Sequence, residues 1–193
     1  QDVMSRLDGL MERVVKSVNE ENRKELKVLG REVLDLKVPI PRVTYDEAVG
    51  ILDKKGVEHE KDADFGTVQL KALSEELTGF YFITDWPTAA RPFYAKPLVG
   101  RPDRCESFDL MYGWIELASG ATRINDAKLL RDRMSSQGLN PDSFKTHLKW
   151  FGYGMPPHAG FGLGLARLLM VLTGKDNIRE VVMFPRDRRR LEP

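Results

Sequence analysis

The sequence predicts an α+β fold in which a largely antiparallel β-sheet is flanked by helices. Helical patterns occupy the first part of the chain, aromatic and β-branched strands follow one another in the middle, and helical patterns return near the end. Strands that follow one another without intervening helices favour antiparallel pairing over alternating βαβ units. The 193 residues are enough to form a hydrophobic core, and no linker-like stretch divides them. We therefore expect one domain over residues 1–193.

Local signals predict three helices ahead of the first strand. The opening helix is predicted from apolar residues spaced three and four positions apart, namely Val3, Leu7, Leu10, Met11, Val14, Val15 and Val18. Thr44 followed by Glu47 is a capping box that begins the second helix, and Gly56 is placed to end it. The third helix is expected over residues 68–77.

Strands are predicted where aromatic and β-branched residues cluster. They cover Phe80–Thr84, residues 93–96, Ser107–Tyr112 and residues 115–118, with residues 99–104 as a hairpin connection. Helices are expected again over residues 126–134, 140–150 and 165–172. Asn140 ahead of Pro141 is a helix N-cap signal, and Gly174 is placed to stop the last helix.

Composition excludes several classes of protein. The net charge of +1, from 30 basic and 29 acidic residues, demands no nucleic-acid partner, although it allows a local basic patch. One cysteine allows no internal disulfide and fits a reducing cytoplasm, and three scattered histidines argue against a structural zinc site. No apolar run approaches the ~20 residues of a membrane span, and no signal peptide opens the sequence. The basic run at residues 186–190 is most simply a solvated end, less often a phosphate contact.

A glycine-rich segment near the C-terminus is the strongest candidate for ligand binding. Three glycines alternate with apolar residues from Gly160 to Gly164, and Arg167 follows in the first turn of a helix. Alternating glycines remove side chains from one face of a strand, so a flat ring can lie on the backbone, while an arginine at a helix start favours a phosphate. A tightly packed strand–helix corner with a surface arginine explains the glycines equally well. The spacing is neither a Rossmann fingerprint nor a P-loop.

A polar strand before this segment is the second candidate. Strict alternation predicts Ile115, Leu117 and Ala121 on one face and Glu116, Ala118 and Gly120 on the other. Glu116 and Ser119 offer hard oxygen ligands for Mg²⁺, and Arg123 could hold a carboxylate in fork geometry. The alternative is a solvated polar face with a paired glutamate and arginine.

In order along the chain, these segments resemble the class II aminoacyl-tRNA synthetases. Residues 160–167 resemble motif 3 of that family, and residues 107–123 resemble the stretch specific to its aspartyl members. Three further segments are similar to aspartyl enzymes of archaeal and eukaryotic type: residues 82–87, 154–158 and 183–191. The resemblance implies the C-terminal part of a class II catalytic domain, with motif 1, motif 2 and the anticodon-binding OB-fold absent from this sequence.

The resemblance also assigns site residues. It implies that Arg167 holds the ATP γ-phosphate and that Glu116 and Arg167 are the catalytic groups. ATP-binding residues would be Glu116, Gly162, Gly164, Leu165, Ala166 and Arg167. Arg123, with Ser119 and Tyr94, would bind L-aspartate, and Glu116 and Ser119 would coordinate Mg²⁺. The reaction would form aspartyl-adenylate and transfer aspartate to tRNA(Asp), or also to tRNA(Asn), in a cytoplasmic protein that is a homodimer at full length.

The sequence departs from the family pattern at four positions. Ala166 stands where motif 3 usually has glutamate, and the pocket strand has Ala121, Thr122 and Asn125 in place of a glycine, a glutamine and a histidine. Two alternatives therefore stay open. The chain could come from a paralogue, such as an ATP-dependent asparagine synthetase, or it could be a non-catalytic binding module on the same scaffold.

Overall fold

The computed structural model describes residues 2–32, 34–189 and 192. Gln1, Val33, Arg190, Leu191 and Pro193 lie outside the described residues, and with them the last arginine of the predicted basic run. The α-helices are α1 (Asp2–Glu21), α2 (Arg23–Val28), α3 (Tyr45–Lys55), α4 (Thr67–Ser74), α5 (Ala127–Ser136), α6 (Lys145–Phe151) and α7 (Leu165–Thr173). The strands are β1 (Arg42–Thr44), β2 (Phe80–Thr84), β3 (Pro97–Leu98), β4 (Arg101–Cys105), β5 (Ser107–Tyr112), β6 (Ile115–Thr122) and β7 (Ala159–Leu163).

The main sheet has the strand order β1-β2-β5-β6-β7. Only the β1–β2 pair is parallel, and the other three pairs are antiparallel, so the predicted fold class is confirmed. Strands β3 and β4 form a separate antiparallel pair. Strand β7 lies at one edge of the main sheet, which becomes important for the site.

Helices cover the two faces of this sheet unequally. On one face, α1 and α7 pack against the sheet through Leu7, Met11, Leu168 and Val171, all buried. On the other face, α3 and α4 cover β1, β2 and β5 through a second core cluster that includes Tyr45. A third cluster joins α5 and α6 beside the end of β6. The second face is therefore covered at the β1 side and open towards β7.

Capping signals were read correctly from the sequence. The Thr44 hydroxyl accepts from the Glu47 amide at 3.2 Å, and the Glu47 carboxylate accepts from the Thr44 amide at 2.8 Å. Gly56 ends α3 in the left-handed conformation, and Gly174 does the same for α7. The opening helix is confirmed, although Leu10 is 40 % exposed and lies outside the apolar stripe.

Some predicted boundaries were wrong. Within the strand predicted over residues 93–96, Phe93 and Tyr94 form a turn, because the Ala95 amide donates to the Pro92 carbonyl at 2.9 Å, and Ala95 forms only an isolated antiparallel bridge with Arg123. Phe93 packs on the third core cluster. Residues 101–104 of the predicted loop belong to strand β4 (Arg101–Cys105), where Pro102 is tolerated in a two-stranded pair. The strand predicted over residues 115–118 continues to Thr122, and the helix predicted over 68–77 ends at Ser74. The helix predicted from Asn140 begins as a 3₁₀ turn before α6.

Candidate active site

A break in the β5–β6 register decides which side chains face the site. Leu110 pairs with Ala118 and the next residue, Met111, pairs with Glu116, so Leu117 is an extra residue in β6. Met111 belongs to the core cluster on the open face and Leu110 to the cluster on the other face. Glu116 therefore lies on the face opposite to Ala118, and the strict alternation predicted for this strand is wrong.

The bulge at Leu117 brings Glu116 and Ser119 to the same face of the sheet. Ser119 pairs with Asp109, two residues before Met111 on β5, so both pairs project towards the open face. Without the extra residue, two side chains three positions apart would point to opposite faces. The predicted pair of oxygen ligands is thus placed together by a backbone irregularity.

Two glycines of β7 form the floor beside these side chains. Gly162 pairs with Ser119 and Gly160 pairs with Ala121, so the missing side chains of both glycines would lie on the open face. A Cβ atom built on Gly162 would meet no atom within 4 Å, which leaves the backbone accessible from above. Gly120 is different, because a Cβ there would lie 2.4 Å from Phe108 and 2.8 Å from the Gly160 carbonyl. Gly120 is needed for packing, whereas Gly162 leaves space.

Arg167 reaches this floor from the first turn of α7. Its Nη1 donates to the Glu116 carboxylate at 3.2 Å and to the Glu116 carbonyl at 3.0 Å. About half of each side chain is exposed. The arginine and glutamate singled out from the sequence are therefore adjacent, and the pair lies at the edge of the open face. The amide of Gly164, the residue before α7, donates to the Leu117 carbonyl at 2.8 Å, which fixes the helix start on the bulge.

Arg123 lies at the other end of the floor. Its Nη2 donates to the Gly160 carbonyl at 3.3 Å, and its guanidinium carbon lies 4.4 Å from the centre of the Tyr94 ring. Within the described residues it makes no ion pair with an aspartate or glutamate. Arg123 is partly buried, so it is a cation held by one carbonyl and an aromatic face, with donors left for a ligand.

A cavity of about 870 Å³ opens beside Arg123. Tyr94, Arg123 and Gly160 line it together with apolar side chains of α5, α6 and the segment before β7. Glu116, Ser119, Gly162 and Arg167 lie outside it, on the open face. The residues predicted to form one site are thus divided between a cavity and an adjoining open floor, with Gly160 and Arg123 at the junction.

A buried ion pair lies beside Ser119 on the same face of the sheet and was missed in the sequence. Both guanidinium ends of Arg91 donate to Asp109, one of them at 3.4 Å, and the Arg91 guanidinium lies 3.8 Å from the centre of the Trp86 ring. Burial raises the pKa of Asp109, while Arg91 and the Ser119 hydroxyl oppose that shift. Asp109 is the one charged residue of the strand Ser107–Tyr112, which was the available signal.

The other predicted residues take less central positions. Leu165 is 67 % exposed and Ala166 is half-buried at the start of α7. The Asn125 amide donates to the Met155 carbonyl at 3.4 Å, and His158 is exposed with Nδ1 2.9 Å from the Pro156 carbonyl. The Ala121 methyl is buried in the core cluster that contains Met111, so protein side chains cover it.

Two features of the described residues bear on the metal and membrane predictions. Across residues 2–32, 34–189 and 192, no three side chains of the His, Cys, Asp or Glu type are grouped to hold a metal ion by themselves. In the same part of the chain, none of the helices is long and apolar enough to span a bilayer.

Comparison with known proteins identifies the family. The family described as tRNA synthetases class II (D, K and N) matches residues 1–188. An aspartate–tRNA(Asp/Asn) ligase of Sulfurisphaera tokodaii is 48 % identical over all 193 residues, which are 45 % of its own length. The chain therefore spans less than half of this curated relative.

Solved structures show the same likeness. The aspartyl-tRNA synthetase of Entamoeba histolytica superposes with a TM-score of 0.93 at 34 % identity, over the whole of this chain and 41 % of that one. The asparaginyl-tRNA synthetase of Pyrococcus horikoshii complexed with asparaginyl-adenylate gives 0.93 at 32 % identity, over the whole of this chain and 45 % of that one. The match of residues 1–188 and the identity along the full chain show that this protein belongs to the class II tRNA synthetases of the D, K and N group.

Proposed function

We propose that the chain is the C-terminal part of the catalytic domain of an aspartate–tRNA ligase. The complete protein would activate L-aspartate with ATP to aspartyl-adenylate and transfer aspartate to tRNA(Asp). The S. tokodaii relative is named as a tRNA(Asp/Asn) ligase, so tRNA(Asn) is proposed as a second acceptor. The same proposal includes a cytoplasmic location, a homodimer, and a motif 1, motif 2 and OB-fold that residues outside this sequence supply.

The observation that carries the proposal is the unpaired guanidinium of Arg123. A partly buried arginine without a carboxylate partner is satisfied by an anionic ligand, and a planar fork binds a carboxylate through two parallel hydrogen bonds. The aspartate side chain supplies such a carboxylate, whereas the asparagine amide would leave the cation uncompensated. The chemistry of Arg123 therefore favours aspartate, although asparaginyl enzymes share the fold.

ATP is proposed to lie over the glycine floor with its phosphates towards Arg167. Gly162 leaves space for a flat ring or ribose against the backbone, and Arg167 provides a half-exposed cation at the edge of that space. Arg167 is paired with Glu116 in this structure, so a phosphate would replace the Glu116 carboxylate as its partner. Leu165, Ala166 and Gly164 would border the nucleotide at the start of α7.

A Mg²⁺ ion at this place would take only some of its ligands from the protein and the others from phosphate and water. Glu116 and Ser119 project from the same face, but the described residues offer no group of three ligands there. A small hard cation that keeps waters and binds substrate phosphates suits such a site, since it needs one or two protein oxygens. When bound, Mg²⁺ would neutralise phosphate charge; Glu116 and Ser119 would hold it.

The protein side chains would act by positioning and charge neutralisation. The reaction is attack of the aspartate α-carboxylate oxygen on the α-phosphorus of ATP, which forms a P–O bond and releases pyrophosphate. Arg123 would fix the substrate side chain so that its α-carboxylate lies towards the floor, and Arg167 would stabilise charge on the departing phosphates. Such positioning and electrostatic stabilisation need no protein nucleophile.

The test is aspartate-dependent ATP–pyrophosphate exchange, measured on this chain alone and on the full-length gene product, with asparagine as the competing substrate. We expect exchange with aspartate in the full-length protein and its loss in Arg123→Leu, while Arg101→Leu, at an exposed arginine paired with Asp46, should retain it. Exchange with asparagine only, or near-normal exchange in Arg123→Leu, would refute the assignment. No exchange in either protein would favour a non-catalytic binding module, whereas exchange with aspartate but no transfer to tRNA would favour a paralogue such as an asparagine synthetase.

A further inference from the structure

Residues 88–94 form an irregular connection beside the candidate site, and we call them the connecting segment. The isolated bridge of Pro87 with Arg104 precedes the segment, and the isolated bridge of Ala95 with Arg123 follows it. In the described part of the chain, none of the strands pairs with the residues between these two bridges. The position of the connecting segment is therefore set by individual contacts with other elements and not by a sheet ladder.

The connecting segment contacts both halves of the candidate site. Arg91 is buried and donates through its guanidinium to Asp109, the carboxylate that lies opposite Ser119. At the other end of the segment, the centre of the Tyr94 ring lies 4.4 Å from the guanidinium carbon of Arg123. A displacement of the segment would therefore move the partner of Arg123 and the partner of Asp109 together.

Two side chains at the end of α5 hold the backbone of this segment. Arg133, in the last turn of the helix, donates through Nη2 to the Thr88 carbonyl at 2.7 Å. Gln137, directly after the helix, donates through Nε2 to the Arg91 carbonyl at 2.7 Å. Both acceptors belong to buried residues, where an unpaired carbonyl is costly. The turn that presents Arg91 is thus fixed to α5 at both of its ends.

We propose that Arg133 and Gln137 are positioning residues for aspartate activation and act through the connecting segment. The inference rests on the proposed function, because it requires that Arg123 binds the substrate carboxylate. Neither Arg133 nor Gln137 lines the cavity beside Arg123, so each reaches the substrate only through the residues that it holds. Small misplacements of substrate-binding groups reduce rates strongly, by about 100-fold for about 1 Å.

Gln137→Glu is the most specific variant, because it keeps the shape of the side chain and replaces the donor with an acceptor that faces the Arg91 carbonyl. Loss of one hydrogen bond to a buried carbonyl should lower kcat/KM for aspartate about tenfold, with most of the change in KM. The assay is ATP–pyrophosphate exchange by the full-length gene product. Arg133→Met should give a similar loss, whereas Arg133→Lys keeps a cationic donor and should restore most of the activity.

Asn19→Asp is the matched control for a merely structural effect. The Asn19 amide donates to the Leu34 carbonyl at 2.9 Å, and the two residues lie at the α1 side of the sheet, away from the connecting segment. The substitution is the same amide-to-acid change at another partly buried residue that donates to a backbone carbonyl. It should lower the urea midpoint of unfolding about as much as Gln137→Glu and leave the aspartate KM unchanged.

Hydrogen exchange on the ligand-free full-length protein gives a measurement that does not depend on activity. The Ala90 amide donates to the Pro87 carbonyl at 3.1 Å, and the Ala95 amide donates to the Pro92 carbonyl at 2.9 Å. Both amides should exchange about tenfold faster in Gln137→Glu and at the wild-type rate in Asn19→Asp, because only the first variant loosens the segment locally.

Several results would overturn the inference. They are a wild-type aspartate KM in Gln137→Glu, an equal rise of KM in Asn19→Asp, and unchanged hydrogen exchange of residues 88–95 in both α5 variants. In a Tyr94→Ala background, Gln137→Glu should have little further effect on the aspartate KM, and an undiminished effect would exclude the route through Tyr94. Absence of aspartate-dependent exchange in the wild type would instead refute the proposed function, while hydrogen exchange would still show whether α5 holds the segment.

Discussion

Gly120 and Gly162 lie on neighbouring strands and should respond in opposite ways to the same added methyl group. In Gly120→Ala the new Cβ would lie 2.4 Å from Phe108 Cζ, 2.8 Å from the Gly160 carbonyl oxygen and 2.8 Å from Phe161 Cβ. The Phe108 ring can move, but the Gly160 oxygen and the Phe161 Cβ are held in place by strand β7. Overpacking by one methylene costs about 1–3 kcal/mol, and the two rigid contacts place this change at about 3 kcal/mol.

Gly162→Ala is the matched control, because its Cβ would meet nothing within 4 Å. Removing backbone freedom from the unfolded chain should leave stability unchanged or raise it by about 0.5 kcal/mol. Urea unfolding measures both variants, and with a slope of about 3 kcal/mol per M the Gly120→Ala midpoint should fall by about 1 M. ATP binding to the full-length protein should be weakened in Gly162→Ala despite its normal stability. Wild-type stability in Gly120→Ala would refute the packing argument, and normal ATP binding by Gly162→Ala would refute the floor.

Two further predictions concern buried ionisable groups. Arg91→Met removes the partner of buried Asp109 and should lower the free energy of unfolding by about 3–5 kcal/mol near pH 8. Because burial raises the pKa of Asp109, the deficit should shrink as the pH falls and the carboxyl becomes neutral, so equal deficits at pH 5 and pH 8 would contradict the mechanism. Burial also raises the pKa of Tyr81 to about 12, while its hydroxyl donates to the Gly113 carbonyl at 2.8 Å. Ultraviolet titration should show one phenol that ionises near pH 12 and that is missing in Tyr81→Phe. The stability that the protonated Tyr81 hydroxyl contributes should be lost between about pH 10 and pH 12. A Tyr81→Phe titration identical to that of the wild type would refute the assignment.

The elements predicted correctly are those whose structure is determined by residues close together in the sequence. The capping box of Thr44 and Glu47 is complete within four residues, and strand β2 is a run of aromatic and β-branched residues with breakers on both sides. Phe93 was misassigned to a strand because an aromatic residue suits a strand and a core cluster equally, and only the contact with Phe144 decides between them. Such decisions depend on segments far away in sequence.

The candidate site was predictable to the extent that its residue types are distinctive. The glycines of β7 were correctly read as an open strand face, and Arg167 as a cation at a helix start. The contact between Arg167 and Glu116 joins residues 51 positions apart, so no local pattern predicts it, and the family resemblance assigned both residues to ATP binding without predicting the ion pair. The pairing of Arg91 with Asp109 was not foreseen, because each residue alone reads as an ordinary charged residue.

The extra residue at Leu117 links the geometry of β6 to the start of α7. Leu117 is the residue that β6 has in excess of β5 between the pairings of Leu110 with Ala118 and of Met111 with Glu116. Deletion of Leu117 would make these two pairings consecutive, so Glu116 would still lie opposite Met111 and on the same face as Ser119. The deletion would, however, remove the carbonyl that accepts from the Gly164 amide, at the point where α7 begins. A change of length at this position is therefore expected to disturb the placement of Arg167 before it changes the face on which Glu116 lies.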